Sequence, residues 1–581
     1  MDLRRLAGYL IFLSVIGPSV FLGSHWYFSE LEGNKLLSAR DKIFVPPPIA
    51  EPSIMGAFVP HHDVARSVIT QTIDKIREER QPNIIVLVGP DHFDRSNAMI
   101  TTTKADEVFG IPIETHIAKV LIASGAKDDR AVIAAEHSIG VPLAVIAEKF
   151  PRVRTVPILL STKMPRAEVE ALARRLDEAS PRSTVFIASV DFSHFLTPSA
   201  TDFHDTQSIG ALMTFDSSAL SRSEVDSWQS LYLVRQIAYL RGASAFELLT
   251  HKNTSTLTQN FYEENTGYVG ALLRKGEATS LERPVTVLAV GDILLARDVQ
   301  AQMERYGDFY PFKGIAQFLR GVDIVLGNLE GPIVENSTKV PISSTRFMFP
   351  KESAALLYGV GFSALNIANN HIRNAGAQGV TSTIRYLSEA GIVPVGLVED
   401  FGSNTVIKKV GGRRIGIAGF SMVSGYFNLD SALKIIHDLA VHSDFTVVTV
   451  HWGTEYVRTA SDPQRHIAQA FVEAGADVVF GHHPHVVQGI ETIKGKPVFY
   501  SLGNFIFDQY GTKETNEGLA VGIEILDKYI RYQLFPLALG RAQPRLMRKE
   551  ERERFLNNLA TLSPSRLYPQ ISRGIIEIEV P

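Results

Sequence analysis

Three histidines stand close together directly after a short apolar run. They are His482, His483 and His485, within the segment 478–488. Neutral imidazoles are ready nitrogen ligands for transition metals, whereas three protonated imidazoles this close would repel one another. The spacing therefore predicts a metal-binding corner.

Ligand-type residues also follow four other apolar runs in the same half of the chain. Each run has the length of a strand and is rich in β-branched residues, which is typical of a buried parallel strand. The carboxyl ends of such strands form the ligand-binding edge of an open α/β sheet. We therefore expect five strands to direct side chains into one pocket. The residues at the four run ends are Asp292, Asn328 with Glu330, Asn370 with His371, and His451 with Glu455.

This set contains the donors that a hydrolytic two-metal centre needs. Two divalent ions about 4 Å apart require oxygen and nitrogen donors, including a carboxylate, and they acidify a shared water near neutral pH. The predicted metal ligands are Asp292, Glu330, Asn370, His451, His483 and His485.

The remaining polar residues of the set are predicted to surround the ions. His371 is predicted to donate a proton to a leaving group or to stabilise developing negative charge. His482 is expected behind the ligands, as a supporting residue. The predicted pocket lining consists of Asn328, Glu455, His482 and Asn504.

Composition limits the possible classes of protein. A chain of 581 residues with 45% hydrophobic residues is too long for one core, so two or more domains are expected. The net charge is -4 and there is no long basic run, so we expect no nucleic-acid partner. The absence of cysteine excludes disulfides, thiolate metal sites and a cysteine nucleophile, and it leaves the compartment open.

The first 30 residues differ from the rest of the chain. Arg4 and Arg5 precede the apolar segment 6–28, which at about 20 residues is long enough to cross a bilayer. Arginines on the short amino-terminal side favour keeping that end in the cytoplasm, with both globular domains outside it. Because no Ala-x-Ala site follows, a single-pass anchor in the cell membrane (1–30) is favoured over a cleaved signal peptide or a buried helix.

Residues 51–273 are predicted to form a first α/β domain, and 274–284 a polar linker. Apolar runs of strand length end at His61, at His92, and at Asp191 and His194, with amphipathic helical patterns between them. Alternating strands and helices predict a mostly parallel sheet.

The motifs in this domain resemble the Memo-like family, also called AmmeMemoRadiSam system protein B, whose fold is similar to class III extradiol dioxygenases. The resemblance implies a metal triad of His61, His92 and His194 that could hold Fe, Cu or Zn, with His137 and Asp191 lining the pocket. The family commonly has a cysteine near the end of this domain, and residues 264–272 here have none, which argues against a thiol-dependent role. The motifs are Val59-Pro-His61, Gly89-Pro-Asp-His92, Glu136-His137-Ser138 and Asp191-Phe-Ser-His194.

The motifs of residues 285–540 resemble the CapA family of capsule or poly-γ-glutamate synthesis proteins, whose fold is similar to calcineurin-like metallophosphatases. The resemblance implies an α/β sandwich holding Mn, Zn or Fe. The motifs, in the order of that family, are Gly291-Asp292, Asn328-Leu-Glu330, Asn370-His371, His451-Trp-Gly-Thr-Glu455, His483-Pro-His485 and Leu502-Gly-Asn504.

The same half of the chain departs from these patterns at three positions. Leu294 stands where metallophosphatases usually have a histidine, and Glu330 stands where an aspartate would bridge two ions. Asn374 stands where CapA-like proteins often have an aspartate. These departures leave open whether the centre holds one ion or two.

We therefore expect a membrane-anchored, two-domain α/β protein whose second domain is completed by a helix and a strand in residues 541–581. The expected function is metal-dependent hydrolysis of a phosphoester, amide or ester bond in the synthesis or export of an anionic envelope polymer. The polymer, or its synthesis and export machinery, is the expected partner. Two alternatives remain: a non-catalytic assembly factor, and a redox protein acting at His61, His92 and His194.

Overall fold

The computed structural model describes residues 53–276, 283–337, 340–397, 403–423 and 427–580. The predicted membrane anchor (1–30) and residues 277–282 of the predicted linker lie outside these ranges. Among the described helices, none combines the length and the apolar character needed to cross a membrane. Residues Pro52–Pro581 form one compact unit. Within this unit the predicted two-domain α/β architecture is confirmed.

The first domain contains ten strands and nine α-helices among its described residues. The strands are β1 Ile54–Val59, β2 Ile84–Pro90, β3 Ile100–Thr102, β4 Glu107–Val108, β5 Ile111–Pro112, β6 Lys127–Asp128, β7 Arg154–Leu160, β8 Val185–Ser189, β9 Ala245–Asn253 and β10 Gly267–Arg274. The helices are α1 Arg66–Glu79, α2 Thr115–Ala123, α3 Arg130–Ala135, α4 His137–Lys149, α5 Arg166–Ala179, α6 Pro198–Met213, α7 Ser217–Leu220, α8 Trp228–Leu240 and α9 Thr254–Thr258.

The central sheet of the first domain is buried between helices. Its strand order is β6-β3-β7-β2-β8-β1-β10-β9, and the four middle strands β7, β2, β8 and β1 are parallel. All residues of β2 and β8 are buried, as expected for parallel strands covered on both faces. Helix α1 packs on the sheet through Val68, Ile69, Thr72, Ile73 and Ile76, which share one helical face.

The second domain contains eighteen strands and eight α-helices among its described residues. The strands are β11 Val285–Ile293, β12 Ile324–Leu329, β13 Ile333–Val334, β14 Phe349–Pro350, β15 Ala364–Asn366, β16 Val393–Leu397, β17 Ser403–Asn404, β18 Val406–Val410, β19 Arg413–Ser421, β20 Phe445–His451, β21 Val478–His482, β22 Ile490–Ile493, β23 Lys496–Phe499, β24 Asn504–Ile506, β25 Glu517–Ile525, β26 Tyr529–Ala538, β27 Arg545–Leu546 and β28 Ile575–Glu579. The helices are α10 Arg297–Tyr306, α11 Ala316–Leu319, α12 Glu352–Gly359, α13 Gly376–Ala390, α14 Leu429–His442, α15 Asp462–Glu473, α16 Lys549–Thr561 and α17 Tyr568–Arg573.

Two sheets of the second domain pack face to face. The larger sheet has the order β17-β16-β15-β12-β11-β25-β26-β27, with β24 added to β11 and β28 added to β26. The smaller sheet has the order β18-β19-β20-β21-β23-β22. One hydrophobic cluster joins Val287 and Ile324 of the larger sheet to Ile417, Val447 and Val478 of the smaller sheet. This sandwich brings the carboxyl ends of parallel strands from both sheets to the same side.

Candidate metal centres

A row of polar residues crosses the carboxyl end of the larger sheet. In register, Asp292 of β11 lies beside Asn328 of β12, and Asn328 lies beside Asn366 of β15. On the other side of β11, Asp292 pairs with Asn504 of β24. The pairing register of neighbouring strands therefore places four polar side chains side by side.

A second row crosses the smaller sheet, where His451 of β20 is in register with His482 of β21. Directly after β21, His483 and His485 both have positive φ, at 95° and 56°. Non-glycine residues rarely adopt this conformation, and strained backbone of this kind is often found at active sites and ligand sites. The tight turn returns both imidazoles toward the larger sheet.

Hydrogen bonds fix the orientation of the amide row. The Ala368 N–H donates to Asn366 Oδ1 at 3.2 Å, so the amide nitrogen of Asn366 must be its donor, and it donates to Asn328 Oδ1 at 3.1 Å. The Asn328 Nδ2 group then donates to Asp292 Oδ1 at 2.8 Å and faces His451 Nδ1 at 3.3 Å. A chain of fixed donors therefore holds the Asp292 carboxylate in place.

The Glu330 carboxylate lies at the meeting point of the two rows. Its Oε1 atom is 3.6 Å from His485 Nε2, 3.8 Å from His371 Nε2 and 4.0 Å from His451 Nε2. Glu330 is fully buried, and neither of its oxygens has a hydrogen-bond partner among the described residues. A buried carboxylate without a partner is costly, and a bound cation would satisfy it.

The donor atoms form three overlapping groups in which all ligand atoms lie within 4.8 Å of one another. The groups are Asp292 with Glu330 and His485, Glu330 with His451 and His483, and Glu455 with His483 and His485. Mixed carboxylate and imidazole donors suit Zn, Mn or Fe. Because Glu330, His483 and His485 are each shared by two groups, the donor set fits more than one divalent ion.

Burial and neighbouring charge shift the pKa values of these groups in opposite directions. Burial, together with the Asp292 and Glu455 carboxylates, raises the pKa of Glu330 to about 8 against the opposing effect of His485. Burial opposes protonation of His485, but Glu330 and Asp292 raise its pKa to about 9. Burial holds the pKa of His451 well below its usual range.

His371 is oriented by Asn374. The Phe347 N–H donates to Asn374 Oδ1, so this atom is an oxygen, and it lies 3.1 Å from His371 Nδ1. Burial lowers the pKa of His371 to about 4, so near neutral pH its neutral ring carries the proton on Nδ1. The unprotonated Nε2 faces Glu330. The geometry therefore favours proton acceptance by Nε2 over the proton donation expected from the sequence.

The structure brings together all eleven residues that the sequence assigns to this pocket. Asn370 Oδ1 is 2.8 Å from His451 Nε2, Asn504 Oδ1 is 3.0 Å from His485 Nδ1, and His482 Nδ1 is 3.3 Å from Asp292 Oδ1. His482 thus lies behind Asp292, as expected of a supporting residue. Sequence reasoning missed Asn366, although an asparagine in a buried apolar strand was a visible signal.

A second pocket, here called the first-domain pocket, lies at the carboxyl ends of β1, β2 and β8. It has a volume of about 440 Å³. The imidazoles of His61, His92 and His137 offer ligand atoms within 4.8 Å of one another. The lining residues are His61, His62, His92, His137, His194, Phe195, Glu224, Val225, Asp226, Thr266 and Gln317.

Asp226 supplies a carboxylate to this histidine cluster. Its Oδ2 atom is 3.2 Å from His61 Nε2 and 3.4 Å from His92 Nε2, and its buried Oδ1 atom has no hydrogen-bond partner among the described residues. Burial opposes ionisation, but His61 and His92 lower the pKa of Asp226 below its usual range. Three imidazoles and a carboxylate fit Fe or Zn as donors.

The other predicted residues of this pocket surround that cluster. His194, the third member of the predicted triad, lines the same pocket, and His137 offers a further ligand atom within 4.8 Å of those of His61 and His92. Asp191 Oδ1 accepts a hydrogen bond from the His61 N–H at 2.9 Å. Glu136 Oε1 lies 2.9 Å from His92 Nδ1 and 3.0 Å from His137 Nδ1, so it orients both rings.

His92 donates hydrogen bonds to the carboxylates of Asp226 and Glu136, and these contacts act on its pKa. Burial opposes protonation, but Asp226 and Glu136 raise the pKa of His92 to about 9. Against the effect of burial, hydrogen bonds from His137 and His92 lower the pKa of Glu136 to about 2. Asp226 itself was missed from the sequence because it follows no strand: it lies in the loop between α7 and α8.

Comparison with known proteins follows the division into two domains. A Memo-like protein family model matches residues 29–270, and the model described as bacterial capsule synthesis protein PGA_cap matches residues 286–509. The capsule biosynthesis protein CapA of Bacillus anthracis is 36% identical over 258 residues, covering 40% of this chain and 62% of that protein. The chain thus spans less than two thirds of the length of that relative.

Two further relatives cover one domain each. The PGA biosynthesis protein CapA of Bacillus subtilis (strain 168) is 32% identical over 278 residues, covering 45% of this chain and 73% of that protein. A MEMO1 family protein of Caldivirga maquilingensis is 25% identical over 242 residues, covering 38% of this chain and 84% of that protein.

Proposed function

Because the chain belongs to the bacterial capsule synthesis protein PGA_cap family, with a Memo-like domain before the domain of that family, we propose that its second domain is a metal-dependent hydrolase. The process would be the synthesis, export or trimming of a capsule or poly-γ-glutamate-type polymer, which the names of the Bacillus relatives support. The bond attacked would be a phosphoester, or an amide or ester of the polymer.

One observation carries the hydrolase proposal. The buried Glu330 carboxylate has no hydrogen-bond partner among the described residues and is shared by two donor groups. A buried carboxylate without a partner calls for a compensating group, and a bound cation is one that would supply it. We infer that divalent Mn, Zn or Fe is that ligand, held by Glu330 with Asp292, Asn370, His451, His483 and His485.

The residues of the second-domain pocket would have different roles in hydrolysis. Bound divalent ions would supply a water acidified to a nucleophile near neutral pH. His371 Nε2, held unprotonated by Asn374, would accept a proton beside that water. The amide row from Asn366 to Asn328 would keep Asp292 oriented throughout. Glu455, whose side chain is exposed, would contact the substrate.

The test is hydrolysis of a generic phosphoester by the purified protein with Mn or Zn, together with elemental analysis. His451→Ala and His483→Ala are each expected to abolish turnover and to lose the metal bound by the second domain, while circular dichroism stays unchanged. His437→Ala, which removes an exposed histidine of α14, is the matched control and is expected to retain both. Equal activity in all four proteins would refute the proposal. Wild-type protein without stoichiometric metal would favour a non-catalytic polymer assembly factor.

The first-domain pocket favours a second candidate function. His61, His92, His137 and Asp226 form a donor set suited to Fe, Cu or Zn, of which Fe and Cu can change oxidation state. We propose that this pocket binds a redox-active metal. Fe or Cu that persists in His451→Ala and disappears in His92→Ala would support the assignment, whereas Fe or Cu content that His92→Ala leaves unchanged would contradict it.

We also propose that residues 1–30 anchor the chain in the cell membrane, with both domains outside the cytoplasm. The support is the apolar segment 6–28 after Arg4 and Arg5. Expressed in bacteria, the full chain is expected to resist carbonate extraction from membranes and to be digested by protease added to spheroplasts. Carbonate release of the full chain, or protection from that protease, would contradict the proposal.

A further inference from the structure

The two domains share a hydrophobic core. Leu196, Ala200 and Phe203 of the first domain belong to the same buried cluster as Phe318 and Phe535 of the second domain. The Phe203 and Phe535 ring centroids are 5.6 Å apart, and those of Phe318 and Phe535 are 5.0 Å apart. Domains move relative to each other unless their interface is large and apolar. This interface is apolar at its centre, so the second domain can hold parts of the first in place.

One end of this interface reaches the loop between α7 and α8, the loop that carries Asp226. The Gln317 Nε2 group of α11 donates to Glu224 Oε1 at 2.8 Å. Next to it, Gly321 has φ +67°, and a Cβ there would lie 2.8 Å from the Glu224 Cβ. The second domain therefore contacts Glu224 through a hydrogen bond and through a close approach that only glycine allows.

Glu224 stands two residues before Asp226, and both line the first-domain pocket. On the first-domain side, the loop is held because Asp226 N–H donates to the Asp191 carbonyl at 3.2 Å and Ser223 Oγ donates to Gln207 Oε1 at 3.1 Å. Hydrogen bonds to both domains thus hold the loop between α7 and α8. Gln317 itself also lines the pocket.

We propose that the first-domain pocket is a site built by both domains, in which Gln317 and Gly321 of the second domain are positioning residues for the Asp226 carboxylate. Docking of the second domain holds residues 223–227 in the conformation that presents Asp226 to His61 and His92. A metal in this pocket would therefore bind tightly only while the two domains are docked. Only this last consequence rests on the proposed metal-binding function of the pocket; the positioning of Asp226 does not depend on it.

The positioning is tested without metal by amide hydrogen exchange on the full chain. Gln317→Ala is expected to speed exchange at residues 221–230 about tenfold, because the loop loses its side-chain hydrogen bond to the second domain. The matched control is Gln543→Ala, which removes an amide-to-carbonyl hydrogen bond of 2.8 Å to Tyr310 within the second domain and leaves this loop untouched. Unchanged hydrogen exchange at residues 221–230 in Gln317→Ala would overturn the proposal, whatever the result of metal-binding experiments.

The consequence for metal is tested with Co(II), whose absorption bands report its ligands. The background is His483→Ala/His485→Ala, which removes a ligand from each of the three donor groups of the second domain, so that Co(II) bound with ligand-field bands reports the first-domain pocket. Gln317→Ala is expected to weaken Co(II) binding about tenfold and to shift its bands, as is typical for loss of a residue that orients a ligand. The swap Gln317→Glu/Glu224→Gln can reform the hydrogen bond and is expected to restore both affinity and bands.

The outcomes separate the two proposals. If Co(II) binds and Asp226→Asn weakens it, but Gln317→Ala does not, positioning by the second domain is wrong and the metal site stands. If no Co(II) binds in this background, the metal function of the pocket is wrong, and hydrogen exchange alone decides the positioning. If the swap does not restore the Co(II) affinity and absorption bands that Gln317→Ala loses, the Gln317–Glu224 hydrogen bond does not position Asp226, and the proposal is overturned.

Discussion

Replacing Glu330 by glutamine should change protein stability in opposite directions without and with metal. Glu330 is fully buried and has no hydrogen-bond partner among the described residues, and its pKa is raised to about 8. Glutamine keeps the shape and removes the charge. At a pH above 8, leaving a buried polar group without a hydrogen bond costs about 1–3 kcal/mol, and a charged group costs more; His485 offsets part of this extra cost for Glu330. Because Asp292 Oδ2 still lies 3.3 Å from His485 Nδ1, the imidazolium keeps a partner.

We therefore expect metal-free Glu330→Gln to be more stable than wild type by about 1 kcal/mol, the lower end of that range. With free metal at about a hundred times Kd, bound metal stabilises wild type by about 2.7 kcal/mol. If loss of the shared carboxylate weakens binding about a hundredfold, the same metal concentration stabilises the variant by only about 0.4 kcal/mol. The variant would then be less stable than wild type by about 1 kcal/mol.

The assay is thermal unfolding after chelation and again with Mn(II), where each kcal/mol corresponds to about 2–4 °C in a domain of this size. The matched control is Glu524→Gln. Glu524 is also buried, but it accepts hydrogen bonds from Thr206, Arg531 and Gln533, so its replacement should destabilise the protein equally with and without metal. Equal metal-induced stabilisation of Glu330→Gln and wild type would refute the role of Glu330 as a shared ligand.

Two further predictions concern the domain interface. Burial lowers the pKa of His204 from 6.5 to about 4, so the free energy of unfolding should be independent of this group above pH 6.5 and should fall by about 3 kcal/mol as the pH drops to 4. His204→Leu should lose this pH dependence in thermal unfolding. Parallel curves of stability against pH for the variant and wild type would contradict the prediction. Arg283 donates two hydrogen bonds of 2.8 Å to the buried Asp323 carboxylate, so Arg283→Met should destabilise by about 3–5 kcal/mol in chemical denaturation. Arg283→Met/Asp323→Asn should recover part of that loss, because no unpaired charge remains; no recovery would show that the guanidinium acts through packing instead.

The sequence was sufficient to predict the second-domain pocket because its donors follow strands. A β-branched run that ends in Asp292 or His451 predicts both a strand and the direction of its last side chain, and parallel strands bring such ends together. What the sequence could not give was the pairing register. Register is a property of two strands at once, so the alignment of Asn366 with Asn328 was invisible in either segment alone.

The first-domain pocket was predicted less completely for a related physical reason. His61 and His92 follow strands and were found, whereas Asp226 lies in a loop between two helices, where no periodicity fixes the direction of a side chain. The closeness of His137 to His61 and His92 was not predicted for the same reason. His137 begins helix α4 directly after Glu136, and only the packing of that helix against β2 decides how close the imidazole comes to His92.

The two pockets therefore differ in how firmly their carboxylates are held. Asp292 is fixed by strand register and by an amide chain within its own domain, so it should tolerate disturbance of the domain interface. Asp226 depends on a loop that Gln317 supports from the other domain. A substitution that loosens docking, such as Gln317→Ala, should consequently weaken metal binding in the first-domain pocket and leave the second-domain centre unchanged. Metal content of the two sites in such variants, measured at constant pH, distinguishes this arrangement from two independent domains, which would show no effect of interface variants on either site.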